Sequence, residues 1–220
     1  MRGRRAVGLT LGPPPRRGLR AKLATWPAGQ AIHRVQGASF APDGFNPCLG
    51  RPSRFAPITD ARGRCVPSLY GARSFETALF ETFFRNISQK SVRRRVYASD
   101  LALLAYSVLE PQVDLVLVDL ASTGLHWLEI TPEELFGGSQ RTYAKTVAWA
   151  RELFLQTPRA QGLVWMSKRN NRDSALVLYK PRIARGALTV SQPASSLLDA
   201  PLVARVREAA ASANITLIEP

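Results

Sequence analysis

The alternation of hydrophobic and polar positions along the chain predicts short strands and helices in a mixed order. Short apolar runs between turn residues are typical of strands, and apolar positions three to four residues apart are typical of helices. The apolar runs predict strands at residues 31–35, 66–70, 92–98, 115–120, 162–166, 175–179, 188–191 and 215–218. The helical spacing predicts helices at residues 75–87, 132–136, 139–157 (with Ser139 as cap) and 201–211.

This order of elements predicts the α+β class, because strands and helices mix without regular βαβ alternation. We expect a single compact domain with a mixed, mostly antiparallel sheet and flanking helices. Residues 40–58 are rich in proline and glycine and form a long irregular segment. A loop of this length inside a compact domain is often functional.

The helix predicted at residues 75–87 carries the first candidate for chemistry. Ser74 is a suitable N-cap, and Glu76 lies favourably in the first turn. Most of the remaining positions are apolar, so a carboxylate at Glu81 would be partly desolvated unless it is paired or used. The alternative is an outward Glu81 that pairs with Arg85 at i,i+4, an interaction of only about 0.3–0.5 kcal/mol.

Three further residues could contribute to a site with Glu81. Arg54 lies in the proline-rich loop, and a guanidinium binds phosphate through two parallel hydrogen bonds. Tyr70 ends a predicted strand and could stack on a flat ligand, although most strand tyrosines are core residues. Ser167 ends another strand and could donate to a ribose or a phosphate, although such a serine is usually a turn residue. Arg34, inside the first strand, could point to solvent or reach the same phosphates.

The net charge of +14 suggests a phosphate-bearing or nucleic-acid partner. Residues 1–30 hold seven basic residues and no acidic ones, which leaves 14 − 7 = +7 for the rest of the chain. We predict that residues 1–29 are a basic, disordered leader and that residues 30–220 form the folded domain. An Arg-rich transit peptide or an upstream extension of the gene start would have the same composition.

Two basic runs inside the domain are the best internal support for nucleic-acid binding. They are residues 93–95 and the loop that contains Lys168, Arg169 and Arg172. Few aromatic residues interleave with them, so base stacking is not indicated. Each run is more often a solvated face than a binding patch.

Two cysteines, Cys48 and Cys65, are too few for a disulfide scaffold, so a reducing, cytoplasmic compartment is the default expectation. His33 and His126 share no metal-ligand spacing with them, so we expect no metal. The longest candidate for a membrane span, residues 101–118, is interrupted by Glu110, Pro111 and Asp114, and no run reaches the ~18 apolar residues needed.

Taken in order, these residues resemble the RES-domain family of bacterial type II toxin–antitoxin systems, which is named for an arginine, a glutamate and a serine. The resemblance covers roughly residues 30–180. No single segment is specific, and the order within a strand–turn–helix context carries the resemblance. The matching segments are His33–Val35, Phe45–Pro47, Arg54-Phe55, Leu69–Ala72 with Ser74–Glu81, Trp165–Ser167 with Arg169, and Ala175–Tyr179.

The resemblance implies a fold similar to ADP-ribosyltransferases and destruction of NAD as substrate, with no cofactor. The implied catalytic residues are Arg54, Glu81 and Ser167, and the implied NAD-binding residues are Arg34, Tyr70 and Arg169. It also implies a cognate antitoxin, usually of helix-turn-helix type, which would be the only link to nucleic acid, and a possible homodimer within that complex.

The chain departs from the family pattern in two places. The basic leader has no expected counterpart in the family. A glycine directly before the family arginine is commoner, but Ser53 precedes Arg54 here and Gly50 precedes Arg51. Arg51 is therefore an alternative to Arg54. The acceptor of the reaction stays open between water, inorganic phosphate and a protein. The rival interpretations are a non-enzymatic basic protein that binds nucleic acid and an inactive family member kept for its interactions.

Overall fold

The computed structural model describes residues 11–87, 94–137 and 143–218. Its helices are α1 (Phe75–Thr82), α2 (Ser122–Trp127), α3 (Pro132–Phe136), α4 (Tyr143–Gln156) and α5 (Ala200–Ser212), with short 3₁₀ helices at Ala98–Leu103 and Lys180–Arg182. The strands are β1 (Leu23–Trp26), β2 (Ile32–Gly37), β3 (Ile58–Thr59), β4 (Cys65–Val66), β5 (Ser68–Ala72), β6 (Arg95–Tyr97), β7 (Leu104–Pro111), β8 (Leu115–Asp119), β9 (Gly162–Met166), β10 (Ser174–Tyr179), β11 (Leu188–Ser196) and β12 (Thr216–Ile218).

One large sheet organises the molecule in the order β1-β8-β9-β10-β5-β2-β7-β11. Within the described residues, β8 and β9 form its parallel pair, and the other neighbouring strands run antiparallel. Two small sheets, β3-β4 and β6-β12, lie outside it. The predicted α+β class with a single compact domain and a mixed, mostly antiparallel sheet is therefore confirmed.

Apolar side chains cover both faces of this sheet. Along β10, Ala175, Val177 and Tyr179 join the larger core cluster, which includes residues of α1, α4 and α5. The alternate residues Leu176 and Leu178 join a smaller cluster on the opposite face. A strand buried on both faces has a continuous apolar sequence, as β10 does.

Residues 11–29 of the predicted disordered leader belong to the fold, so the prediction of disorder is wrong for them. β1 pairs with β8, and Trp26 is buried. Upstream of β1, Leu11 packs into the core, and the indole of Trp149 donates to the carbonyl oxygen of Gly12 at 2.9 Å. The few apolar residues of this segment find partners only on the folded domain, which composition does not reveal. Residues 1–10 lie outside the described residues.

Most predicted elements are present, with shifted ends. β7 was not predicted, because Glu110, Pro111 and Asp114 interrupt residues 101–118 and only the part from residue 115 was predicted as a strand. In the structure this stretch forms a 3₁₀ helix, β7, a turn and β8. Strand β11 extends five residues beyond the predicted end at residue 191. The start of the strand predicted at 92–98 and the proposed cap Ser139 lie outside the described residues.

The helix α1 begins as predicted and ends earlier than predicted. Ser74 caps it by accepting a hydrogen bond from the Thr77 N–H at 3.3 Å. The helix stops at Thr82 rather than residue 87, and Phe84 beyond it is buried. A continued helix would place Phe84 about 180° around the axis from the buried Phe75, at 100° per residue, so the early end allows both rings to reach the core.

The large sheet is nearly split between β2 and β5. These two strands pair only at His33 and Ala72. At the junction, a Cβ on Gly71 would lie 2.3 Å from Cγ2 of the fully buried Ile32, so only glycine allows the strands to approach. Beyond the junction the strands separate and a cavity opens.

The two cysteines form a disulfide between the proline-rich loop and β4, with Cα atoms 6.2 Å apart. This differs from the reducing environment expected from the cysteine count. A count of two cysteines does not reveal that Cys48 and Cys65, 17 residues apart, become neighbours in space.

Candidate functional site

A carboxylate and a serine hydroxyl from separate elements meet at the centre of the candidate site. Glu81 lies in the last turn of α1, and Ser167 directly follows β9. The Ser167 hydroxyl donates to Oε1 of Glu81 at 2.6 Å. A hydrogen bond of this length to a carboxylate is among the strong ones. Ser167 is fully buried and Glu81 is partly exposed, so the serine orients a carboxylate that stays accessible.

The backbone of the loop after β9 holds Ser167 in place. The N–H groups of Arg169 and Asn170 both donate to its Oγ at 3.2 Å, as in a serine turn. The Asn170 side-chain amide donates to Oγ1 of Thr77 in α1 at 2.8 Å. The loop and α1 therefore position Ser167 and Glu81 together, and the single proton of Ser167 is donated to Glu81 rather than offered to a ligand.

Arg54 faces the same region from the proline-rich loop. Its guanidinium lies 5.4 Å from the ring centres of both Phe136 and Tyr143 and donates to the carbonyl oxygen of Leu135 at 3.0 Å. Burial lowers the pKa of Arg54, although the nearby Tyr143 and Glu81 oppose that change. The two rings hold the guanidinium plane in one orientation, which a lysine would not reproduce.

Tyr70 connects the Arg54 loop to β5. Its phenolic oxygen accepts a hydrogen bond from the Phe55 N–H at 3.1 Å and lies 2.9 Å from Oγ of Ser53. Its ring packs edge-on against Trp165, with ring centres 6.1 Å apart. Burial raises the pKa of Tyr70 to about 12. Tyr70 is therefore neutral near pH 7 and provides a ring surface rather than a charge.

Arg34 is buried inside the split of the sheet. Its guanidinium donates to the backbone carbonyl oxygens of Pro42 at 2.5 Å and Gly44 at 2.8 Å. Burial lowers its pKa to about 10. The interpretation of Arg34 as a solvent-facing strand residue is therefore wrong, and its hydrogen bonds hold the start of the proline-rich loop.

Two cations from the loop after β9 lie at the edge of the site. Arg169 donates to the carbonyl oxygen of Ile87 at 3.1 Å, and Lys168 donates to that of Phe136 at 3.1 Å. Both side chains are exposed. Their hydrogen bonds connect this loop to the segments that follow α1 and end α3.

These residues surround a cavity of about 810 Å³ in the split between β2 and β5. That volume is in the range of small-molecule sites. Among the described residues that line it, Glu81 is the one carboxylate, and the cations are Arg34, Arg54, Arg85, Lys168 and Arg169. The walls therefore favour an anionic ligand and offer a single place where positive charge can develop.

The predicted site residues converge in this cavity. Arg34, Arg54, Tyr70, Glu81 and Arg169 line it, and Ser167 supports it through Glu81. Arg51, the alternative to Arg54, is exposed and does not line the cavity. The alternative pairing of Glu81 with Arg85 is not observed, although both residues are described, because α1 ends before Arg85.

Sequence reasoning missed several lining residues. Tyr143 lies within the helix predicted at residues 139–157 and was not singled out as a site residue, but its half-buried ring faces Arg54. The proline-rich loop predicted to be functional supplies Phe40 and Ser53, although no pattern singled them out. Other lining residues that were missed include Gln36, Arg85, Asn86, Phe136 and Trp165.

Across residues 11–87, 94–137 and 143–218, no three His, Cys, Asp or Glu side chains gather as metal ligands would. In the same ranges, each helix is too short or too polar to cross a bilayer.

A family model described as RES domain matches residues 31–198, which include every predicted site residue. No curated protein matches the chain. The match covers most of the chain, from β2 to the residues just after β11. This chain therefore belongs to the RES-domain family.

Proposed function

We propose that this protein cleaves the bond between nicotinamide and ribose in NAD. The observation that carries the proposal is the arrangement of one serine-oriented carboxylate, Glu81, in a cavity otherwise lined by cations and aromatic rings. NAD combines an anionic pyrophosphate, flat bases and a bond whose cleavage creates positive charge on the ribose. The cavity offers a complementary group for each of these parts.

Cleavage of the nicotinamide–ribose bond depends mainly on positioning of the substrate and on one negative charge near the ribose, and less on acid–base groups. When the C–N bond breaks, its electron pair leaves with nicotinamide as a neutral molecule, and C1′ of the ribose becomes like an oxocarbenium ion. A fixed carboxylate beside C1′ stabilises that charge, and a site that excludes water increases the effect. We assign this role to Glu81. The alternative role for Glu81 is to bind the ribose hydroxyls.

The other predicted residues have separate roles in this proposal. Arg54 and Arg169 bind the pyrophosphate, and Tyr70 packs on the nicotinamide. Ser167 acts as a positioning residue, because its proton is donated to Glu81. Arg34 contributes charge to the cavity wall while its hydrogen bonds hold the loop.

The acceptor completes the reaction at C1′. Attack by water gives ADP-ribose and releases a proton, and attack by inorganic phosphate gives ADP-ribose 1″-phosphate. A nucleophilic side chain of a protein would instead become ADP-ribosylated. We assign the binding of a phosphate acceptor to Arg85, which is exposed at the cavity edge.

The biological role we propose is that of the toxin of a toxin–antitoxin pair that depletes cytoplasmic NAD. Its partner would be a cognate antitoxin, with a helix-turn-helix part as the link to nucleic acid. A homodimer within such a complex belongs to the same proposal. Membership of the RES-domain family supports this role.

The experiment that tests the function is nicotinamide release from NAD by the purified chain, with and without inorganic phosphate. Glu81→Gln is the matched variant, because it keeps an oxygen for the Ser167 hydrogen bond and removes the charge. We expect release that falls at least about a hundredfold in the variant, the scale of losing one electrostatic stabiliser. Equal release by a folded Glu81→Gln protein would refute the assignment. A dependence on phosphate would identify the acceptor.

A further inference from the structure

Arg54 is held in the cavity wall by its main chain as well as by its side chain. The buried hydroxyl of Thr146, in α4, donates to the carbonyl oxygen of Arg54 at 2.5 Å. The two residues are 92 positions apart in the sequence, and Thr146 does not itself line the cavity. Any effect of Thr146 on a ligand must therefore pass through a neighbouring residue.

The single proton of the Thr146 hydroxyl is directed to Arg54. Oγ1 of Thr146 also lies 3.1 Å from the carbonyl oxygen of Tyr143, three residues earlier in α4. A hydroxyl has one proton to donate, and the shorter contact, to Arg54, is the better hydrogen bond. The Tyr143 carbonyl lies inside a helix, where the N–H four residues later is available as a donor, whereas Arg54 lies in a loop without such a ladder.

The peptide group that follows Arg54 is hydrogen-bonded at both of its ends. Thr146 donates to its carbonyl oxygen, and its N–H, which belongs to Phe55, donates to the phenolic oxygen of Tyr70 at 3.1 Å. In a trans peptide these two groups point in opposite directions, so α4 and β5 hold the peptide plane from two sides. The next carbonyl oxygen, that of Phe55, accepts a hydrogen bond from the Tyr179 hydroxyl at 3.1 Å. The backbone at Arg54 is therefore fixed in direction as well as in place.

The same helix, α4, also contacts the side chain of Arg54. Tyr143 and Thr146 are three residues apart, a spacing that places both side chains on one side of a helix. The Tyr143 ring centre lies 5.4 Å from the guanidinium, and Thr146 holds the carbonyl oxygen of the same arginine. α4 therefore fixes both the backbone of Arg54 and the orientation of its guanidinium.

The position of this guanidinium matters because of the way in which arginine binds phosphate. One nitrogen of Arg54 donates to the carbonyl oxygen of Leu135 at 3.0 Å, and a guanidinium has five N–H groups, so others are left for a ligand. Two parallel hydrogen bonds to a phosphate require a defined plane and a defined distance. A binding group meets that requirement when a supporting residue limits its movement to about 0.5 Å.

We infer that Thr146 is a positioning residue for the binding of the substrate's pyrophosphate. Its hydroxyl holds the Arg54 carbonyl oxygen, so that the guanidinium meets the pyrophosphate without a rearrangement of the loop. The inference rests on the proposed function, which supplies the pyrophosphate as the ligand of Arg54. It assigns to α4 a role in substrate affinity, and it leaves the charge stabilisation at C1′ to Glu81.

The test combines calorimetric binding of ADP-ribose, which keeps the pyrophosphate of NAD, with steady-state cleavage of NAD by the full chain. Thr146→Val replaces the hydroxyl by a methyl group of similar size. We expect ADP-ribose to bind about tenfold more weakly and KM for NAD to rise by a similar factor, because a displaced binding group loses affinity. The value of kcat should change by less than about threefold, the pattern of lost uniform binding.

Three further variants act as controls. Thr146→Ser keeps the hydroxyl and should bind ADP-ribose like the wild type. Thr157→Val makes the same chemical change just after α4, where the hydroxyl donates to the carbonyl oxygen of Leu153 outside the cavity, and should not change the affinity. If Thr146→Val does not fold, Thr146→Ser and Thr146→Ala supply the same comparison, because they differ only by the hydroxyl.

A double-mutant cycle with Arg54→Lys distinguishes positioning from a general structural role. If Thr146 acts through the Arg54 guanidinium, Thr146→Val should weaken ADP-ribose binding much less in the Arg54→Lys background than in the wild type. A general loosening of α4 would weaken binding equally in both backgrounds. Fully additive effects would therefore overturn the inference.

The outcomes separate this inference from the proposed function. Unchanged ADP-ribose affinity in a folded Thr146→Val protein, or no measurable binding by the wild type, would overturn the inference even if NAD is cleaved. An equal loss of affinity in Thr157→Val would also overturn it. ADP-ribose binding that needs both Thr146 and Arg54, in a protein that does not cleave NAD, would support the inference and overturn the proposed reaction.

Discussion

At the scale of single residues, the hydroxyl of Ser167 is committed to holding a carboxylate. It donates to Glu81 and accepts from the backbone N–H groups of Arg169 and Asn170. Sequence reasoning named Ser167 and Glu81 as members of one site, but it assigned the serine proton to a ligand. Only the three-dimensional contact shows where the proton is used.

Replacing Ser167 by alanine should damage both catalysis and stability. A freed Glu81 would lose its alignment with C1′, and we expect kcat for NAD to fall up to about a hundredfold with a smaller change in KM. Two backbone N–H groups would lose their acceptor, which lowers the free energy of unfolding by about 1–3 kcal/mol. Steady-state kinetics and thermal melts measure these effects. Ser191→Ala, on the edge strand β11, is the control, and an unchanged kcat in Ser167→Ala would contradict the positioning role.

Arg54 and Arg51 are a matched pair three residues apart. Arg54→Lys keeps the charge but loses the planar group between the rings of Phe136 and Tyr143. We expect KM for NAD to rise about tenfold or more, with a smaller effect on kcat. Arg51→Lys, at an exposed position outside the cavity, should have wild-type kinetics. If Arg51→Lys showed the larger defect, the assignment of the family arginine to Arg54 would be wrong.

At the scale of elements, the proline-rich loop depends on contacts from several directions. Arg34 holds its start, the Cys48–Cys65 disulfide joins it to β4, and Tyr70 contacts the residues around Arg54. The sequence predicted a functional loop because of its length and its prolines. It did not predict these contacts, because each joins the loop to another element.

Removing the disulfide should loosen this loop and the cavity together. Closing a loop of 17 residues stabilises the folded state by about 3 kcal/mol in the chain-entropy account. We expect a dithiol reductant to lower the melting temperature and to raise KM for NAD, because Arg54 lies inside the closed loop. The Cys48→Ser/Cys65→Ser variant should match the reduced protein and be insensitive to reductant. An identical melting temperature in both redox states would show that the bond does not stabilise the fold.

The disulfide also bears on the expected cytoplasmic location. Cytosolic thiols are normally kept reduced, and cytosolic disulfides are mostly transient or redox-sensing. If the proposed location is right, the reduced form is the one that acts on NAD in the cell. The kinetic comparison of the two redox states therefore also tests whether the proposed activity suits that compartment.

At the scale of the whole molecule, the N-terminal segment divides into two parts. Residues 11–29 contribute Leu11 to the core and β1 to the edge of the sheet. Residues 1–10, which contain Arg2, Arg4 and Arg5, lie outside the described residues. The rival interpretation is a protein that binds nucleic acid through its basic leader. This interpretation and the enzyme predict different effects when either part of the N-terminal segment is deleted.

Deleting residues 2–10 should leave the melting temperature and NAD cleavage unchanged. Deleting residues 2–29 should destabilise the domain strongly, because it exposes the edge of β8 and removes the buried Trp26 and Leu11, worth about 1.5–3 kcal/mol for each large apolar side chain. Thermal melts and nicotinamide release measure both. Tight, strongly salt-dependent nucleic-acid binding that disappears with residues 2–10 would favour the rival interpretation.

The sequence by itself determined the class of the fold, most of its elements and five of the residues that line the cavity, namely Arg34, Arg54, Tyr70, Glu81 and Arg169. Strand and helix periods, the Ser74 cap and the chain order of Arg54, Tyr70, Glu81 and Ser167 are local features, so they can be read along the chain. Where the pattern was interrupted or weak, as at β1 and β7, the strands were missed because their stability comes from neighbours in the sheet.

Tertiary structure alone decided how the side chains are used. Ser167 meets Glu81 across 86 residues, and Ser107 orients Gln36 across 71. Cys48 meets Cys65, and the carbonyl oxygens that hold Arg34 belong to a loop without periodicity. Composition and spacing report which side chain a position carries, but hydrogen bonds depend on distance and direction. Those quantities exist only once the sheet has closed around the cavity.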